Sequence, residues 1–480
     1  MDEQWLVIRN GKVIDIAGDR PPLQQDVVIR NSRIVSVGND AVEGLQHPPL
    51  EAMAQLDASG LTVMPGLIDA HCHMTYGEAN TEEEIDLYTT HELRTLIAAA
   101  NAAKVLRAGV TSISQPGGSY YIGVGLREGV KRGLLIGPRM STAGRYLTTS
   151  NGLVDWYPTS VGVPEGSIGK LTNTPDEMLR EIRLQVKNGV DFIKLADSPY
   201  GGYQSFRNDE LKMVAELCHQ LGRGCTIHAR GSNEVGAAVD AGFDWIMHGN
   251  IMSDEVIDKL AASDSVLVPT LLLLANDVDW PELTGTPPKA VSNIRVMLEK
   301  TADSLHRAHA AGVKFAMGTD TGFAVTPYGE WHAREIELLM TYAGLSACEA
   351  LSAATRGGAK TLGLEGELGE VKPGYIADVI TVDGDPTTNV RVLLNKRNIR
   401  HVVKGGVLQV FPPDIDDRRY EHDALPIVYS THALTYDMVC NGDPAPSFVR
   451  SPWSAGMADD LLADIERLSR HPAETTASSL

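Results

Sequence analysis

The chain has 480 residues, and its 42 Lys and Arg against 62 Asp and Glu give a net charge of −20. Because this excess of negative charge repels phosphate groups, we expect no nucleic-acid partner. Hydrophobic residues at 43% suffice for a large folded core, and no uncharged apolar run approaches the ~20 residues of a membrane helix, so no membrane partner is expected. Five scattered cysteines exclude a disulfide scaffold, and the acidic amino terminus predicts no signal peptide, which together favour a cytoplasmic protein.

Both ends of the chain contain short β-rich runs. WLVIRNGKVID and VVIRNSRIVSVG place an Asn between apolar stretches, which is typical of hairpins, and similar runs return in GYIADVITVDG and IRHVVKGGVLQV. We therefore predict a small β-sandwich built from residues 1–60 and 363–412, around an inserted α/β domain at residues 61–362. Residues 413–480 are expected to form a C-terminal extension with one short amphipathic helix, DDLLADIERLSR.

The middle of the chain alternates strand-like and helical segments. The predicted strands are MPGLIDAHCHM, VTSISQPG, GPRMSTAG, DFIKLAD, GCTIHAR, DWIMHGN, VLVPTLLLL and VKFAMGTD. Several helices end in Gly just before the next strand, which is a typical helix stop. Eight successive βα units predict a closed parallel (β/α)8 barrel of the TIM type, with its active site at the carboxyl ends of the strands. An open doubly wound sheet is the alternative, but no Gly-rich nucleotide-binding motif follows these strands.

The first predicted barrel strand ends in Asp-Ala-His-Cys-His, residues 69–73. Alternate residues of a strand share a face, so His71 and His73 point together and can form one side of a transition-metal site. Residues of ligand type also close three other strands, and these are His228, His248 and Asp320. An ordinary hydrogen-bonded core histidine is the alternative for any one of them.

Lys194, in the strand DFIKLAD, is unusual at a buried strand end. Burial and nearby cations should favour its neutral amine, because both disfavour the charged form. A neutral amine can add carbon dioxide and become a carbamate, an anion able to bridge two cations. The alternative is an ordinary lysine paired with a carboxylate such as Asp197.

These residues together resemble the amidohydrolase superfamily of metal-dependent barrel hydrolases. MPGLIDAHCHM is similar to its first-strand signature, and GEVKPGYIADVITVDG resembles the segment where such chains re-enter their β-sandwich. The resemblance covers residues 1–410 and is nearest the branch with imidazolonepropionase-like enzymes, Xaa-Pro dipeptidases and ochratoxinase. RYLTTSNGLVDWYP also resembles bacterial hydrolases of phenylurea and thiocarbamate herbicides.

The resemblance implies two divalent metal ions. The implied ligands are His71, His73 and Asp320 for one ion, and His228 and His248 for the other. Lys194, in its carboxylated form, would bridge the two ions together with a hydroxide. Zinc is the default for such nitrogen and oxygen ligands, while cobalt, iron, manganese and a mononuclear centre remain open.

The implied reaction is hydrolysis of an amide, urea or carbamate C–N bond by metal-activated hydroxide. Asp320 would take the proton from the attacking hydroxide and pass it to the leaving nitrogen. Tyr200, shortly after Lys194, is a candidate hydrogen-bond donor to the oxyanion, with a packing role as its alternative.

Two long segments follow the third and seventh predicted strands, on the side where ordered loops form lids or pocket walls. Their aromatic residues favour an apolar or aromatic small-molecule substrate. The candidate substrate contacts are Trp156, Tyr157 and Trp280, and His332 beyond the eighth strand is a further candidate or an ordinary helix start.

The loop after the third strand differs from carboxypeptidase-like members of the superfamily, which carry a His-Gly that recognises the substrate carboxylate. This chain has Asn151-Gly152 there, and Arg145 nearby could supply the missing positive charge. A Xaa-Pro dipeptidase or ochratoxin-type carboxypeptidase acting on N-acyl amino acids is therefore the alternative within the class. A catalytically silent barrel with an assembly role is the alternative of another class, and the resemblance also implies a homo-oligomer.

Overall fold

The computed structural model describes residues 3–16, 20–45, 53–415 and 433–440. The predicted helix DDLLADIERLSR and most of the C-terminal extension lie outside the described residues. Within those residues, no helix has the length and apolar character needed to span a membrane.

Strands of the described chain form three sheets. They are β1 Trp5–Asp15, β2 Arg20–Arg30, β3 Arg33–Gly38, β4 Met53–Asp57, β5 Thr62–Pro65, β6 Leu67–Asp69, β7 Val110–Gln115, β8 Arg139–Thr142, β9 Tyr146–Thr148, β10 Gly169–Leu171, β11 Phe192–Ala196, β12 Gly224–Ala229, β13 Trp245–His248, β14 Val266–Val268, β15 Val379–Val382, β16 Ile399–Lys404 and β17 Val407–Leu408.

Helices connect most of the strands in the middle of the chain. They are α1 His91–Arg107, α2 Ile122–Lys131, α3 Pro175–Lys187, α4 Asn208–Gln220, α5 Ser232–Ala241, α6 Asp254–Ala262, α7 Leu272–Asp279, α8 Pro281–Thr284, α9 Pro288–Ala310, α10 Arg334–Ala343, α11 Ala347–Ser352 and α12 Tyr436–Cys440. Short π turns cover Glu84–Tyr88 and Ala353–Gly357, and short 3₁₀ turns cover Lys360–Leu362, Val390–Leu393 and Lys396–Asn398.

Local sequence explains where several of these helices begin and end. Thr174 caps α3 by accepting a hydrogen bond from the Glu177 N–H, and the Glu177 side chain accepts one from the Thr174 N–H in return. Gly109 follows α1 with φ +80°, and Gly189 follows α3 with φ +91°. Both lie in the left-handed region that favours glycine, so the predicted glycine stops are seen at these two helix ends.

One sheet combines the two ends of the described chain. Its strands run in the order β17-β16-β15-β5-β1-β2-β3, with β4 paired to β1. β15 is antiparallel to β5, and Thr381 lies opposite Val63 in that pair. The predicted association of both chain ends is therefore seen in this sheet, whereas a second, facing sheet of a sandwich stays a prediction.

The strands of the middle region pair in parallel. They form the sheets β6-β7-β8 and β10-β9-β11-β12-β13-β14. Two connections extend the pairing: Ala316 N donates to Leu267 O at 2.9 Å, and Ala70 N donates to Met317 O at 2.8 Å. The predicted eighth strand thus lies between β14 and the chain after β6. This is a TIM-barrel-like α/β fold, with the carboxyl ends of its strands on one side.

The predicted seventh strand is shorter than expected. VLVPTLLLL forms only the three residues of β14 before the chain turns at Thr270 and enters α7. The long loop after β8 also contains two short strands, β9 and β10, that the sequence analysis did not predict.

A described part of the C-terminal extension, residues 433–440, packs against the loop after the predicted eighth strand. Leu434 N donates to Ala324 O at 3.0 Å, and the Trp331 indole N–H donates to Leu434 O. The Tyr436 ring lies 6.0 Å from the Trp331 ring. Because Leu434 and Tyr436 are almost fully buried, this segment contributes to the core near the carboxyl ends of the parallel strands.

Leu434→Ala should lower the free energy of unfolding by about 2–4 kcal/mol, because it removes a buried side chain and leaves a cavity. Denaturant unfolding of the full chain measures this change. Asp437→Asn is the matched control in the same segment. Asp437 forms an exposed ion pair with Arg397, and the two side chains are 56% and 59% exposed, respectively. The control should change stability by less than about 1 kcal/mol. Equal effects of the two substitutions would contradict the docking of this segment.

Candidate metal centre

Three side chains that can bind a metal converge at the carboxyl end of the parallel strands. His71 and His73 follow β6, and Asp320 ends the predicted eighth strand. The Nε2 atoms of the two histidines lie 3.0 Å apart. Asp320 Oδ1 lies 3.3 Å from His71 Nε2 and 3.1 Å from His73 Nε2. These three donor atoms form a possible site for a divalent ion.

Hydrogen bonds determine which nitrogen of each imidazole carries the proton. His73 Nδ1 lies 2.9 Å from Gly117 O, and because a carbonyl only accepts, Nδ1 must carry the hydrogen. His71 Nδ1 lies 2.9 Å from Thr270 Oγ1, whose own hydroxyl donates to Val268 O at 3.1 Å. His71 Nδ1 is therefore the donor to Thr270. Neither Nε2 atom therefore carries a hydrogen, which is the tautomer a metal ligand needs, and the Tyr146 hydroxyl lies 3.2 Å from the Nε2 of His73.

The resulting arrangement fits a cation. Two imidazole lone pairs and one carboxylate oxygen face one another at 3.0–3.3 Å inside the protein. Like partial charges at this distance and low dielectric repel, and a divalent ion bound among them removes the repulsion. Burial also lowers the pKa of His71 well below its usual value, so its Nε2 is unprotonated at neutral pH.

Strained backbone surrounds the centre. Thr270, His248 and Asp320 have φ values of +58°, +78° and +56°, in the left-handed region that non-glycine residues rarely adopt. Thr270 is β-branched, so its conformation is an outlier that the surroundings must impose. The Glu335 carboxylate accepts from the next N–H, that of Leu271, at 2.9 and 3.0 Å, and burial raises the pKa of Glu335 to about 8. Thr270 is thereby held where it meets His71.

Two further histidines lie beside the first group. The His248 ring centre is 5.3 Å from that of His71 and 4.4 Å from that of His228. Among the described residues, His228 Nε2 and His248 Nδ1 are buried without a hydrogen-bond partner. Burial lowers the pKa of both imidazoles well below the usual value, so both are neutral ligands. Buried polar atoms without a partner are rare, and these two are suited to bind a metal.

Lys194 lies on β11, buried within the same region. Its Nζ is 2.6 Å from Met247 Sδ and 5.7 Å from the centre of the Tyr146 ring. Burial lowers the pKa of Lys194 to about 7, although Asp320 raises it. Asp197, the alternative partner, uses its Oδ1 to accept from the N–H groups of Ser198 and Ser205 at 2.9 and 2.5 Å. Because its pKa is lowered to about 7, a large fraction of the Lys194 amine is neutral at neutral pH.

The pKa of Asp320 reflects two opposing effects. Burial raises it, but the neighbouring His71, His73 and Arg230 side chains lower it by more. The pKa of Asp320 therefore lies well below its usual range. Its carboxylate is unprotonated at neutral pH and available as a ligand or a proton acceptor.

Arg230 is a residue of this region that the sequence analysis missed. It follows β12, two positions after His228, and its Nη1 donates to Asn250 Oδ1 at 2.8 Å. Its charge lowers the pKa of His228 and of His248, so the guanidinium lies close enough to act on both. Its Nε is buried without a hydrogen-bond partner in the part of the chain that the structure describes. Strand alternation from His228 could have predicted it, since residues two apart share a face.

Aromatic and apolar side chains cover the centre. The Tyr76 ring stacks on His73 at 4.2 Å, and the Tyr146 ring meets His73 edge-on at 5.8 Å. The Tyr76 and Tyr146 hydroxyls share a hydrogen bond, and Phe323 lies 4.9 Å from Tyr76. The cluster also contains Ala79, Ile85, Val154, Ile168, Ala196 and Val325. These side chains are almost fully buried, so they exclude water from one side of the centre.

Two of the predicted substrate contacts are engaged by protein groups. Arg145 Nη1 donates to Glu165 O at 2.6 Å, and its guanidinium lies 5.3 Å from the Tyr120 ring. His332 is buried, with Nδ1 2.7 Å from Asp69 Oδ2 and Nε2 accepting from the Gly329 N–H at 3.2 Å. Substrate contact through either side chain stays a prediction.

Trp280 also packs within the protein. Its ring stacks on Trp331 at 5.1 Å, and the guanidinium of Arg334 lies 4.2 Å from it. This places Trp280 in the same cluster as the C-terminal segment of residues 433–440. Contact of Trp280 with substrate stays a prediction.

The remaining candidates lie on loops. The Tyr157 hydroxyl donates to Asp86 Oδ2 at 3.3 Å, and Trp156 is 38% exposed. The Asn151 N–H donates to Asp155 Oδ2 at 2.8 Å. Their loop position leaves a role in substrate binding open.

Tyr200 is 78% exposed in the segment between β11 and α4. Its neighbour Gly201 packs closely against the segment that carries Arg230. A Cβ atom added to Gly201 would lie only 2.5 Å from the backbone N of Gly231. Tyr200 is therefore near Arg230, and its role as an oxyanion donor stays a prediction.

Comparison with known proteins agrees with this geometry. Residues 62–408 match the model of the Amidohydrolase family. The ochratoxinase of Aspergillus niger is 25% identical over 429 residues, which cover 82% of this chain and 84% of the relative. A crystal structure of a Xaa-Pro dipeptidase with bound methionine is 26% identical, with a TM-score of 0.72, and covers 85% of this chain and 100% of that chain. The structure of molinate hydrolase, at 22% identity and a TM-score of 0.70 over 89% of this chain and 100% of that one, shows the fold alone.

The chain therefore belongs to the amidohydrolase family, as its first-strand motif and strand-end ligands predicted. It is an enzyme that acts on C–N bonds of small molecules, and the possible metal site at His71, His73 and Asp320 agrees with a family that generally uses divalent metals. The alternative of a catalytically silent barrel loses its support.

Thr270→Val should weaken metal binding by about 10- to 100-fold, because it removes the acceptor that keeps the hydrogen of His71 on Nδ1. Competition with a coloured chelator measures the affinity without reference to activity. Thr270→Ser is the matched control, since it keeps the hydroxyl and should bind the ion like the parent protein. Unchanged affinity in Thr270→Val would contradict this role of Thr270.

Proposed function

We propose that this chain is a metal-dependent hydrolase that cleaves an amide, urea or carbamate C–N bond in a small molecule with an aromatic or apolar group. The observation that carries the proposal is the convergence of the His71 and His73 Nε2 atoms with Asp320 Oδ1 at 3.0–3.3 Å. The apolar wall of Tyr76, Tyr146 and Phe323 beside this centre supports the substrate class.

Two divalent ions fit the donor set, with zinc as the default and cobalt, iron or manganese as alternatives. His71, His73 and Asp320 would hold one ion, and His228 and His248 the other. Lys194, carboxylated through its neutral amine, would bridge them. When bound, such ions acidify a water molecule and polarise the scissile carbonyl.

The chain's own residues supply proton transfer and a dry environment. Asp320 is unprotonated at neutral pH, so its carboxylate can accept the proton of the attacking water and deliver it to the leaving nitrogen. Tyr76 and Tyr146 exclude water from one side of the centre, and a low local dielectric strengthens each charge interaction there. Tyr200 would donate to the developing oxyanion from the neighbouring loop.

A second candidate function is hydrolysis of N-acyl amino acids, and Arg230 is the observation that favours it. A buried guanidinium beside the centre, with one unpartnered nitrogen among the described residues, is suited to bind a substrate carboxylate. The similarity to an ochratoxinase and a Xaa-Pro dipeptidase agrees with this candidate. Arg230, rather than Arg145, would then supply the positive charge that the loop after β8 lacks.

The remaining features of the proposal concern the whole molecule. We propose closure of the parallel strands into an eight-stranded barrel at residues 61–362, and a β-sandwich from residues 1–60 and 363–412. We also propose a cytoplasmic homo-oligomer, to which residues 413–480 could contribute.

Asp320→Asn should lower turnover by at least about a hundredfold while retaining part of the metal, because it removes the proton acceptor but keeps an oxygen ligand. Lys194→Ala should instead lose metal. Elemental analysis and steady-state kinetics on the same preparations separate the two effects. Asp303→Asn and Lys259→Ala, at exposed side chains, are the matched controls. Full activity of Asp320→Asn, or an unchanged metal content of Lys194→Ala, would overturn these roles.

A paired substrate test distinguishes the two candidate functions. Benzanilide and N-benzoylphenylalanine share the benzoyl group and differ in the amine part, which carries a carboxylate only in the second compound. If N-acyl amino acids are the substrates, Arg230→Met should lower kcat/KM for the carboxylate substrate by at least about thirtyfold and leave the neutral amide unaffected. Arg207→Met, at an exposed arginine, is the matched control. Efficient hydrolysis of the neutral anilide by the parent protein, with little turnover of the acid, would favour the first candidate.

A further inference from the structure

A second cluster of ligand-type side chains lies at the amino-terminal ends of β12 and β13. His219 is in the last turn of α4, Cys225 is the second residue of β12, and Asp244 directly precedes β13. An imidazole nitrogen, a thiol sulfur and a carboxylate oxygen from these residues all lie within 4.8 Å of one another. Three different elements thus bring metal-binding donors to one point.

Hydrogen bonds hold this cluster in place. Asp244 Oδ2 accepts from the Cys225 N–H at 2.7 Å and lies 3.1 Å from His219 Nε2. The Cys225 thiol also interacts with the thiol of Cys218, which precedes His219 on α4. That contact, followed by burial and the charge of Asp244, raises the pKa of the Cys225 thiol well above its usual value.

The donor set selects a class of ion. A thiol, an imidazole and a carboxylate are ligands for tetrahedral zinc, cobalt or cadmium, whereas magnesium and calcium prefer oxygen ligands alone. The His219 and Asp244 side chains are 46% and 31% exposed, so an ion can reach them from solvent, while Cys225 is buried. Binding would release the Cys225 thiol proton to solvent, because the thiolate is the ligand.

This cluster is separate from the catalytic centre. Cys225 and His228 are three positions apart on β12, and Asp244 and His248 are four positions apart. At about 3.3 Å per residue, the two sites lie about 10–13 Å apart along the same strands. The catalytic donors are nitrogen and oxygen atoms, and the neighbouring Cys72 donates its hydrogen to Met74 Sδ at 3.8 Å instead. A metal–sulfur bond would therefore report the second cluster specifically.

We propose that His219, Cys225 and Asp244 form a sulfur-containing binding site for a divalent ion of the zinc, cobalt or cadmium class. The site lies at the amino-terminal ends of the parallel strands, whereas the catalytic centre lies at their carboxyl ends. An ion there would tie the end of α4 to the starts of β12 and β13, whose other ends carry His228 and His248. The inference does not depend on the proposed catalysis.

Cobalt titration of the purified full chain, under a phosphine reductant, tests the proposal. Thiolate bound to cobalt gives a charge-transfer band in the near ultraviolet, which imidazole and carboxylate ligands do not give. We expect this band at saturation, and we expect Cys225→Ser to lose it together with one equivalent of bound cobalt. Cys348→Ser is the matched control, because Cys348 lies outside the cluster on α11, and it should keep both.

His219→Ala keeps the test decisive if Cys225→Ser does not fold, because His219 is a half-exposed residue at a helix end. His219→Ala should lower the affinity for the cobalt ion that produces the band by at least tenfold. The affinity for cobalt ions that produce no band should be unchanged. Two results would overturn the proposal: cobalt saturation without any thiolate band, or a band that persists at full intensity in both Cys225→Ser and His219→Ala.

Discussion

The repulsion among three closely spaced lone-pair donors is the constraint on which the rest of the site depends. His71 Nε2, His73 Nε2 and Asp320 Oδ1 face one another at 3.0–3.3 Å, and no arrangement of the two imidazole hydrogens relieves this while Gly117 O and the Thr270 hydroxyl accept from the Nδ1 atoms. A cation is the species that this geometry fits. The strained backbone at Asp320 and Thr270 is a stability cost of the same arrangement.

Charge balance connects the first group to the second. Under the proposed two-ion centre, one carboxylate would not offset two divalent ions beside the Arg230 guanidinium, because the imidazoles of His228 and His248 are neutral. A carbamate on Lys194 would add a second negative charge between the ions. The low pKa of Lys194, about 7, makes the neutral amine available for that step. Burial thus serves both purposes: it keeps the imidazoles neutral and makes the lysine reactive.

Strand periodicity explains how much of the centre could be predicted from the sequence. The HxH alternation and the ligand-type residues at other strand ends required only the local geometry of strands and the fact that parallel strands end on one side. The same alternation would have indicated Arg230, which the analysis passed over. The fold was predictable for a similar reason, since most predicted strands coincide with β6–β8 and β11–β14.

Contacts between distant residues explain what the sequence could not show. Arg145 meets Glu165 across an irregular loop, and His332 meets Asp69 across 263 positions, so neither partner follows from periodicity. The positive φ of Thr270, which ended the predicted seventh strand early, is imposed by its surroundings rather than by its own preference. Side-chain partners of this kind require coordinates.

Anomalous diffraction at the zinc edge, from crystals of the metal-reconstituted protein, tests the central claim most directly. The account predicts a peak within bonding distance of the Nε2 atoms of His71 and His73 and of the Asp320 carboxylate. Crystals with zinc in the solvent but no anomalous peak among these three side chains would contradict it.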